Sequence, residues 1–300
     1  MPTVRSDWPE HVKPGARKAF HNEYPQLPAE YPRYFNIETS SKATEYDLMS
    51  AGLGTAAGVT EAQDIPLDTP VYLGKVTYVH LKYGLGYEAS EELREDELYK
   101  KVVPNASRDL ARSMRDTEET QAASVYNLAF TTQEAYDGVS LIDVAHPGVM
   151  GGADQANQPA TPIDVSVPAL QAALERAMLM RDDRGLRIKV QYSQLVHHPN
   201  NYWLVREILQ SDKKPFTSNN EPNILGQQGI EPSTWRFLTD TDSWYLLAAK
   251  GQHKINFFWR RQPRFRDVFD ERAEVVQFLT SMRFSFGATD WRGIDGSAGV

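Results

Sequence analysis

Asn105-Ala-Ser-Arg-Asp-Leu-Ala-Arg-Ser-Met-Arg-Asp-Thr-Glu-Glu-Thr-Gln-Ala-Ala-Ser-Val-Tyr-Asn-Leu-Ala-Phe130 is the stretch on which the fold turns. Leu110, Met114, Thr117, Gln121, Val125 and Leu128 recur at spacings of four and three, which puts one mostly apolar stripe along a helix. Arg108, Arg112, Arg115, Asp116 and Glu119 fall on the opposite side and read as its solvated face. Pro104 breaks the pattern, Asn105 is a fitting N-cap, and Ser90 to Val103 reads as a separate, charge-rich helical piece. At 1.5 Å per residue the run to Phe130 spans roughly 39 Å. That length suits a spine better than a packing element of a compact enzyme.

Toward the C-terminus, Val276, Phe278, Thr280, Met282, Phe284 and Phe286 alternate with Gln277, Ser281, Arg283 and Ser285. A period of two makes this the clearest strand in the chain, roughly 36 Å long and so matched to the spine. Toward the N-terminus, Leu73, Lys75, Thr77, Val79, Leu81, Tyr83, Leu85 and Tyr87 share a strand face. Ahead of it, Ala43 to Gly74 contains no lysine or arginine, while Glu45, Asp47, Glu61, Asp64 and Asp68 give a local charge of −5. Ala51-Gly52-Leu53-Gly54-Thr55-Ala56-Ala57-Gly58 is small and flexible. Together these predict a long two-stranded excursion with an acidic tip, marginal in water unless it lies against another surface.

The first 32 residues hold six of the eighteen prolines, interleaved with Trp8, Phe20, Tyr24, Tyr31, Tyr34 and Phe35. Proline resists helix and ladder, yet so many rings need burial, so an extended arm is expected, lying on a surface that could be a neighbouring subunit's. The middle reads as α+β. Ser166 and Pro168 open a helix that ends near Arg184-Gly185, and Ile188, Val190 and Tyr192 alternate as a strand. Asn200 or Asn201 caps a helix to Leu209, Ser211 to Pro232 is loop, and Asp240-Thr241-Asp242 joins strands Trp235–Thr239 and Trp244–Ala249 as a hairpin. The segments are therefore 1–42, 43–88, 89–136, 137–253 and 254–300.

Composition narrows the function. Three hundred residues with 41% hydrophobic and 24% charged content describe an ordinary globular chain. No apolar run spans a membrane, and the start lacks a signal peptide's apolar stretch. With no cysteine there is no disulfide, thiolate zinc site or cysteine nucleophile, in keeping with a reducing cytoplasm. The net charge of −8 argues against a general polyanion binder. Gly52, Gly54 and Gly58 mimic a nucleotide loop, but Pro66 and Pro70 follow where a helix would have to open. No Walker or GxSxG pattern occurs. Adjacent His197 and His198 face opposite ways on a strand, and all seven histidines are assigned structural or surface roles. An Asp240/Asp242 calcium loop fails because Gly251 stands where a bidentate glutamate belongs. No catalytic, cofactor-binding or metal-ligating residue is therefore named.

Arg260, Arg261, Arg264 and Arg266 form a basic cluster with Phe257, Phe258, Trp259 and Phe265 close by. A solvated sheet edge and a nucleic-acid site with stacking aromatics both fit it. The preferred reading pairs it with Glu61, Asp64 and Asp68 of a neighbouring subunit, since the acidic segment otherwise lacks partners. Surface pairs are individually weak, but repetition around a shell sets register.

Aromatic arm, long ribbon, spine helix, α+β middle and returning strand, in that order, resemble the major capsid proteins of tailed phages, the Hong Kong 97-type fold. The closing run Gly287-Ala288-Thr289-Asp290-Trp291-Arg292-Gly293-Ile294-Asp295-Gly296-Ser297-Ala298-Gly299 is similar to the C-terminus of the Mu-like major head subunit group. So are Asp137-Gly138-Val139-Ser140-Leu141 with His146-Pro147, and Asn219 to Gly226 followed by Trp244-Tyr245-Leu246. The resemblance covers nearly the whole chain. It implies an N-terminal arm, an extended β-hairpin loop lying over an adjacent subunit, a peripheral domain (89–136 and 254–300) and an axial domain (137–253). It further implies pentamers and hexamers of one chain around double-stranded DNA, with portal and possibly decoration proteins, in a virion assembled in the host bacterial cytoplasm. No long helical prefix precedes the arm, so a separate scaffolding protein is expected. Some relatives cross-link through Lys and Asn, but no sequence signal marks Lys75 or Lys82 for that chemistry. The alternatives are an encapsulin-like compartment, a hydrolase using carboxylates of Asp137–His253, and a DNA-binding accessory protein acting through Arg260–Arg266.

Overall fold

The spine helix organises the molecule. The computed structural model describes residues 8–95, 99–148, 150, 152–215 and 221–300. In it the spine is α3 (Tyr99–Asn127), which runs unbroken through Pro104. Pro104 lies so near the helix start that it removes one early hydrogen bond without ending the helix. A short α2 (Glu91–Glu95) precedes it, so the expected boundary at Asn105 gives way to a longer helix that stops three residues before Phe130.

The buried face of α3 is wider than one stripe: Val103, Ser107, Leu110, Ala111, Met114, Glu118, Glu119, Ala122, Val125 and Tyr126 are all buried. Glu119, expected on the solvated side, is 2% exposed. Its carboxylate accepts from the backbone N–H groups of Glu30 (2.6 Å) and Tyr31 (3.0 Å) and from Trp235 Nε1 (3.1 Å). A buried carboxylate persists where donors replace its water, as here.

The two backbone donors follow the N-terminal helix that replaces the expected extended arm: α1 runs Trp8–Gln26 with Pro14 and Pro25 inside. Ala16, Phe20 and Tyr24 recur every fourth residue, and Ala16 and Phe20 are fully buried. Phe20 meets Phe265 at 5.2 Å, Tyr31 meets Phe257 at 4.7 Å, and Tyr34 meets Trp235 at 4.4 Å. Phe20, Tyr31, Tyr34 and Phe35 are thus buried on their own chain, while the Trp8 side chain lies outside what is described. That packing outweighs the proline penalty, about 3 kcal/mol at a helix interior.

The main sheet has the order β1-β8-β9-β4, from β1 (Asn36–Thr39), β4 (Leu81–Ser90), β8 (Ile255–Asp270) and β9 (Val275–Ala288). β1 is parallel to β8, and the other pairs are antiparallel. Val276, Phe278, Thr280, Met282 and Phe284 of β9 are buried, as the alternation requires. α1 and α3 lie side by side over this face. Tyr87 Oη bonds with Ser107 Oγ (2.6 Å), Tyr83 Oη donates to Gln121 Oε1 (3.1 Å), and Arg17 pairs with Asp267 (3.0 Å). The opposite face is covered only at one end, where Tyr78 packs on Phe258 at 4.9 Å, and carries no helix among the described residues.

The strand run from Leu73 to Tyr87 is two strands. β3 (Val71–Val79) pairs with β2 (Thr44–Ala51) as a separate ribbon, and the chain turns at buried His80 to enter the main sheet as β4. His80 bridges Ser40 Oγ and Ser285 Oγ at 3.0 Å each, fixing that turn.

A second sheet has the order β10-β7-β5-β6, from β5 (Tyr192–His197), β6 (Glu231–Thr234), β7 (Trp244–Ala248) and β10 (Ile294–Ser297). The expected Trp235–Ala249 hairpin is absent: β6 and β7 flank β5 on opposite sides, the first parallel and the second antiparallel. Ile188 and Val190 precede β5 and do not belong to it. Leu195, Trp244 and Leu246 pack with α4 (Val167–Leu179) and α5 (Tyr202–Gln210), while Val196, Tyr245 and Leu247 join the spine's core. Ser166 caps α4 as expected, its side chain accepting from Ala169 N. Arg184-Gly185 is a tight turn beyond the helix end, with Asp182 Oδ1 accepting from the N–H of Arg184 (3.0 Å) and Leu186 (2.7 Å) and Gly185 at φ 81°.

Candidate assembly surfaces

The open face of the main sheet is basic because of strand register. Phe265 points inward, so its neighbours Arg264 and Arg266 point out. A bulge after Trp259 breaks the alternation and brings Arg261 opposite Arg283, which lies opposite Lys82 on its other side. Lys82, Arg283 and Arg261 therefore form a row across three strands. Arg261 donates to Ser281 Oγ at 2.8 Å. Burial, reinforced by Arg266, Arg264, Arg283 and Arg260, lowers the Arg261 pKa from its ordinary value. No carboxylate pairs with Arg260, Arg261, Arg264 or Arg266 among the described residues.

Beside the row is a hollow of about 360 Å³ lined by Lys82, Gly84, Leu85, Gly86, Arg266, Val268 and Leu279 among others. Gly86 makes it: a Cβ there would sit 2.5 Å from Leu279 Cδ2 and 2.8 Å from Phe278 O. The aromatics of the basic segment are unavailable for stacking on bases, since Phe257, Phe258, Trp259 and Phe265 are at most 8% exposed.

The acidic residues divide. Glu61 and Asp64 are exposed on the segment beyond the ribbon, where Ile65 and Leu67 are 78% and 97% exposed. Asp68 accepts from Gly54 N at 2.8 Å and faces Arg184 Nη1 at 3.4 Å within its own chain. Those backbone and guanidinium donors lower its pKa. None of the three acids meets the arginine cluster within the subunit. The glycine-rich stretch between β2 and β3 forms no helix, in agreement with its reading as a loop.

Two stretches singled out by resemblance meet at one buried node. Asp137 Oδ2 lies 2.6 Å from His146 Nδ1, and the His146 ring stacks on Trp291 at 4.1 Å between centroids. His146 Nε2 lies 3.1 Å from Asn157 Oδ1, and Asn157 Nδ2 donates to the carbonyls of Leu141 and Ile294. Arg292 covers the other conjugated neighbours and pairs with Asp183 at 3.0 Å, which also accepts from Tyr136 Oη. The node is a structural weld between the spine's exit and the C-terminus. Asn219 and Asn220 of the third stretch lie outside the described residues. Among the described residues, no cluster of three His, Cys, Asp or Glu could hold a metal, and no helix is long and apolar enough to cross a membrane.

The fold has solved counterparts. The capsid of a native GTA particle aligns with a TM-score of 0.59 at 15% identity, covering 90% of each chain. The capsid of cyanophage P-SCSP1u aligns at 0.58 and 10% identity, covering 90% of this chain and 87% of the other. A virus-like particle from Pyrococcus furiosus aligns at 0.55 and 10% identity, covering 94% and 98%. No curated protein matches by sequence. These likenesses place the α+β architecture in the Hong Kong 97-type fold. The model of the family "Phage capsid protein" matches residues 74–294, well over half of the chain. The chain belongs to the phage capsid protein family, and it is a structural shell protein, a major capsid protein rather than an enzyme.

Proposed function

We propose that this capsid protein forms hexamers and pentamers in which the acidic ribbon tip of one copy seats on the basic open sheet face of the next. One observation supports the reading: the same chain carries five unlayered cations on one surface and an exposed acidic, apolar segment on another. Asp64-Ile65-Pro66-Leu67 offers two apolar side chains beside a carboxylate. The hollow offers Val268 and Leu279 flanked by Lys82 and Arg266. Each exposed ion pair contributes about 0–1 kcal/mol, so selectivity comes from many copies acting together.

Segments 89–136 and 254–300 then form the peripheral domain, 137–253 the axial domain, 43–88 the extended loop and 1–42 the arm. The Asp137–His146–Trp291 node joins the stretches that resemble the Mu-like group, and membership of that group goes with this proposal. So do non-specific enclosure of double-stranded DNA, separate scaffolding, portal and decoration partners, and assembly in the host bacterial cytoplasm.

The test is charge reversal. Glu61→Lys with Asp64→Lys leaves the subunit folded and cuts shell yield at least tenfold by sedimentation and electron microscopy. Adding Arg264→Glu and Arg266→Glu to the same chain restores shells. Normal shells from the first variant overturn the pairing. Particles that fill with cargo protein in place of DNA would favour the compartment alternative.

A further inference from the structure

Asp68 stands apart from Glu61 and Asp64 because it is already engaged at home. Arg184 Nη2 donates to the carbonyl of Thr69 at 2.7 Å, while Nη1 faces Asp68 Oδ2 at 3.4 Å. The same Asp68 oxygen accepts from Gly54 N, so one guanidinium gathers both legs of the ribbon beyond the last β2–β3 pair, Ala51 with Val71. The Arg184 side chain is only 16% exposed.

The base that presents Arg184 is rigid. Asp182 closes the turn through two backbone N–H groups, and neighbouring Asp183 is held by Arg292 and Tyr136. Tyr136 also touches the ribbon directly, since a Cβ on Gly74 would lie 2.9 Å from its carbonyl oxygen. The ribbon is thus held partway along β3, at Gly74, by Tyr136 and beyond its last pair by Arg184. A two-stranded ribbon has too little buried surface to hold its own direction, so these external contacts set it.

We infer that Arg184 is a clasp dividing the ribbon into a stem held by its own chain and a tip, residues 55–67, left free for a neighbouring copy. Asp68 then belongs to the stem and is no lattice contact. The clasp aims the tip before assembly begins, which lowers the ordering cost of docking. Only the role of the tip rests on the docking reading above; the clasp itself is a property of the isolated subunit.

Hydrogen exchange on the unassembled subunit tests it. Arg184→Ala speeds exchange at Ser50 to Gly54 and at Val71 and Tyr72 at least tenfold, with β4, β9 and α3 unchanged. Arg184→Lys, which keeps the charge but loses the fork, falls between the two. Asp68→Asn reproduces most of the loosening. Unchanged exchange at those amides in Arg184→Ala overturns the clasp. Should Glu61→Lys/Asp64→Lys assemble normally while Arg184→Ala still loosens the ribbon, the clasp stands and the docking proposal falls.

Discussion

At the scale of single residues, burial decides which titratable groups matter. His253 is 2% exposed, and burial, with Lys250 nearby, pulls its pKa down to about 4. His80 and His197 shift the same way, again led by burial. A histidine whose folded pKa lies below its unfolded one supports the fold above about pH 6.5. That support is lost as pH falls toward 4, amounting to at most about 3 kcal/mol for His253. Denaturant titrations from pH 7 to 4 should show this loss, and His253→Gln should flatten the slope. Glu119→Ala strands three buried donors and should cost about 3 kcal/mol or more in the same assay. The role of Glu119 was not legible in the sequence. Glu119 reads as one more charge on a solvated helix face, because its partners come from residues 30, 31 and 235. His146 was assigned a structural or surface role and stood in one quoted stretch with Asp137, but its partners Asn157 and Trp291 were out of reach of any local pattern.

At the scale of elements, periodic signals came through where one face meets one layer. β9 is legible because its inner face packs on helices and its outer face is open. The spine is legible for the same reason, although its burial is wider because α1 covers a second flank. The arm misled because proline count weighed more than the four-residue spacing of Ala16, Phe20 and Tyr24. Phe20→Ala should therefore cost about 3–5 kcal/mol and raise proteolysis within α1, since the ring is shared with Phe265. The β5–β7 order was illegible because β6 adds in parallel through a non-local crossover, which no hairpin pattern announces. Gly86→Ala pushes a methyl onto Leu279 and Phe278 O, so it should lower the melting temperature by several degrees and fill the hollow.

At the scale of the whole molecule, order of elements carried more than any motif. A helix-covered sheet with a basic open face, and a ribbon whose acidic tip does not meet that face within the subunit, form the unit for which inter-subunit pairing is proposed. That is the physical signature of a subunit made for repetition, and it agrees with the family and the solved counterparts. Of the residues proposed for the lattice contact, the basic cluster and the acids Glu61 and Asp64 were picked out by charge alone. Lys82 and Arg283 did not, because strand register brings them to the row. The approach of Asp68 to Arg184 in its own chain was not legible because the two are 116 residues apart.

The most direct measurement is a cryo-electron microscopy reconstruction of shells assembled from this chain, with the proposed scaffolding protein supplied. The account predicts closed icosahedral shells in which Glu61 and Asp64 lie within 4 Å of the arginine row or Lys82 on an adjacent copy, roughly ion-pair distance, while Asp68 stays on its own Arg184. Shells whose ribbon tips lie away from that face, or a chain that stays monomeric with scaffolding present, would contradict it.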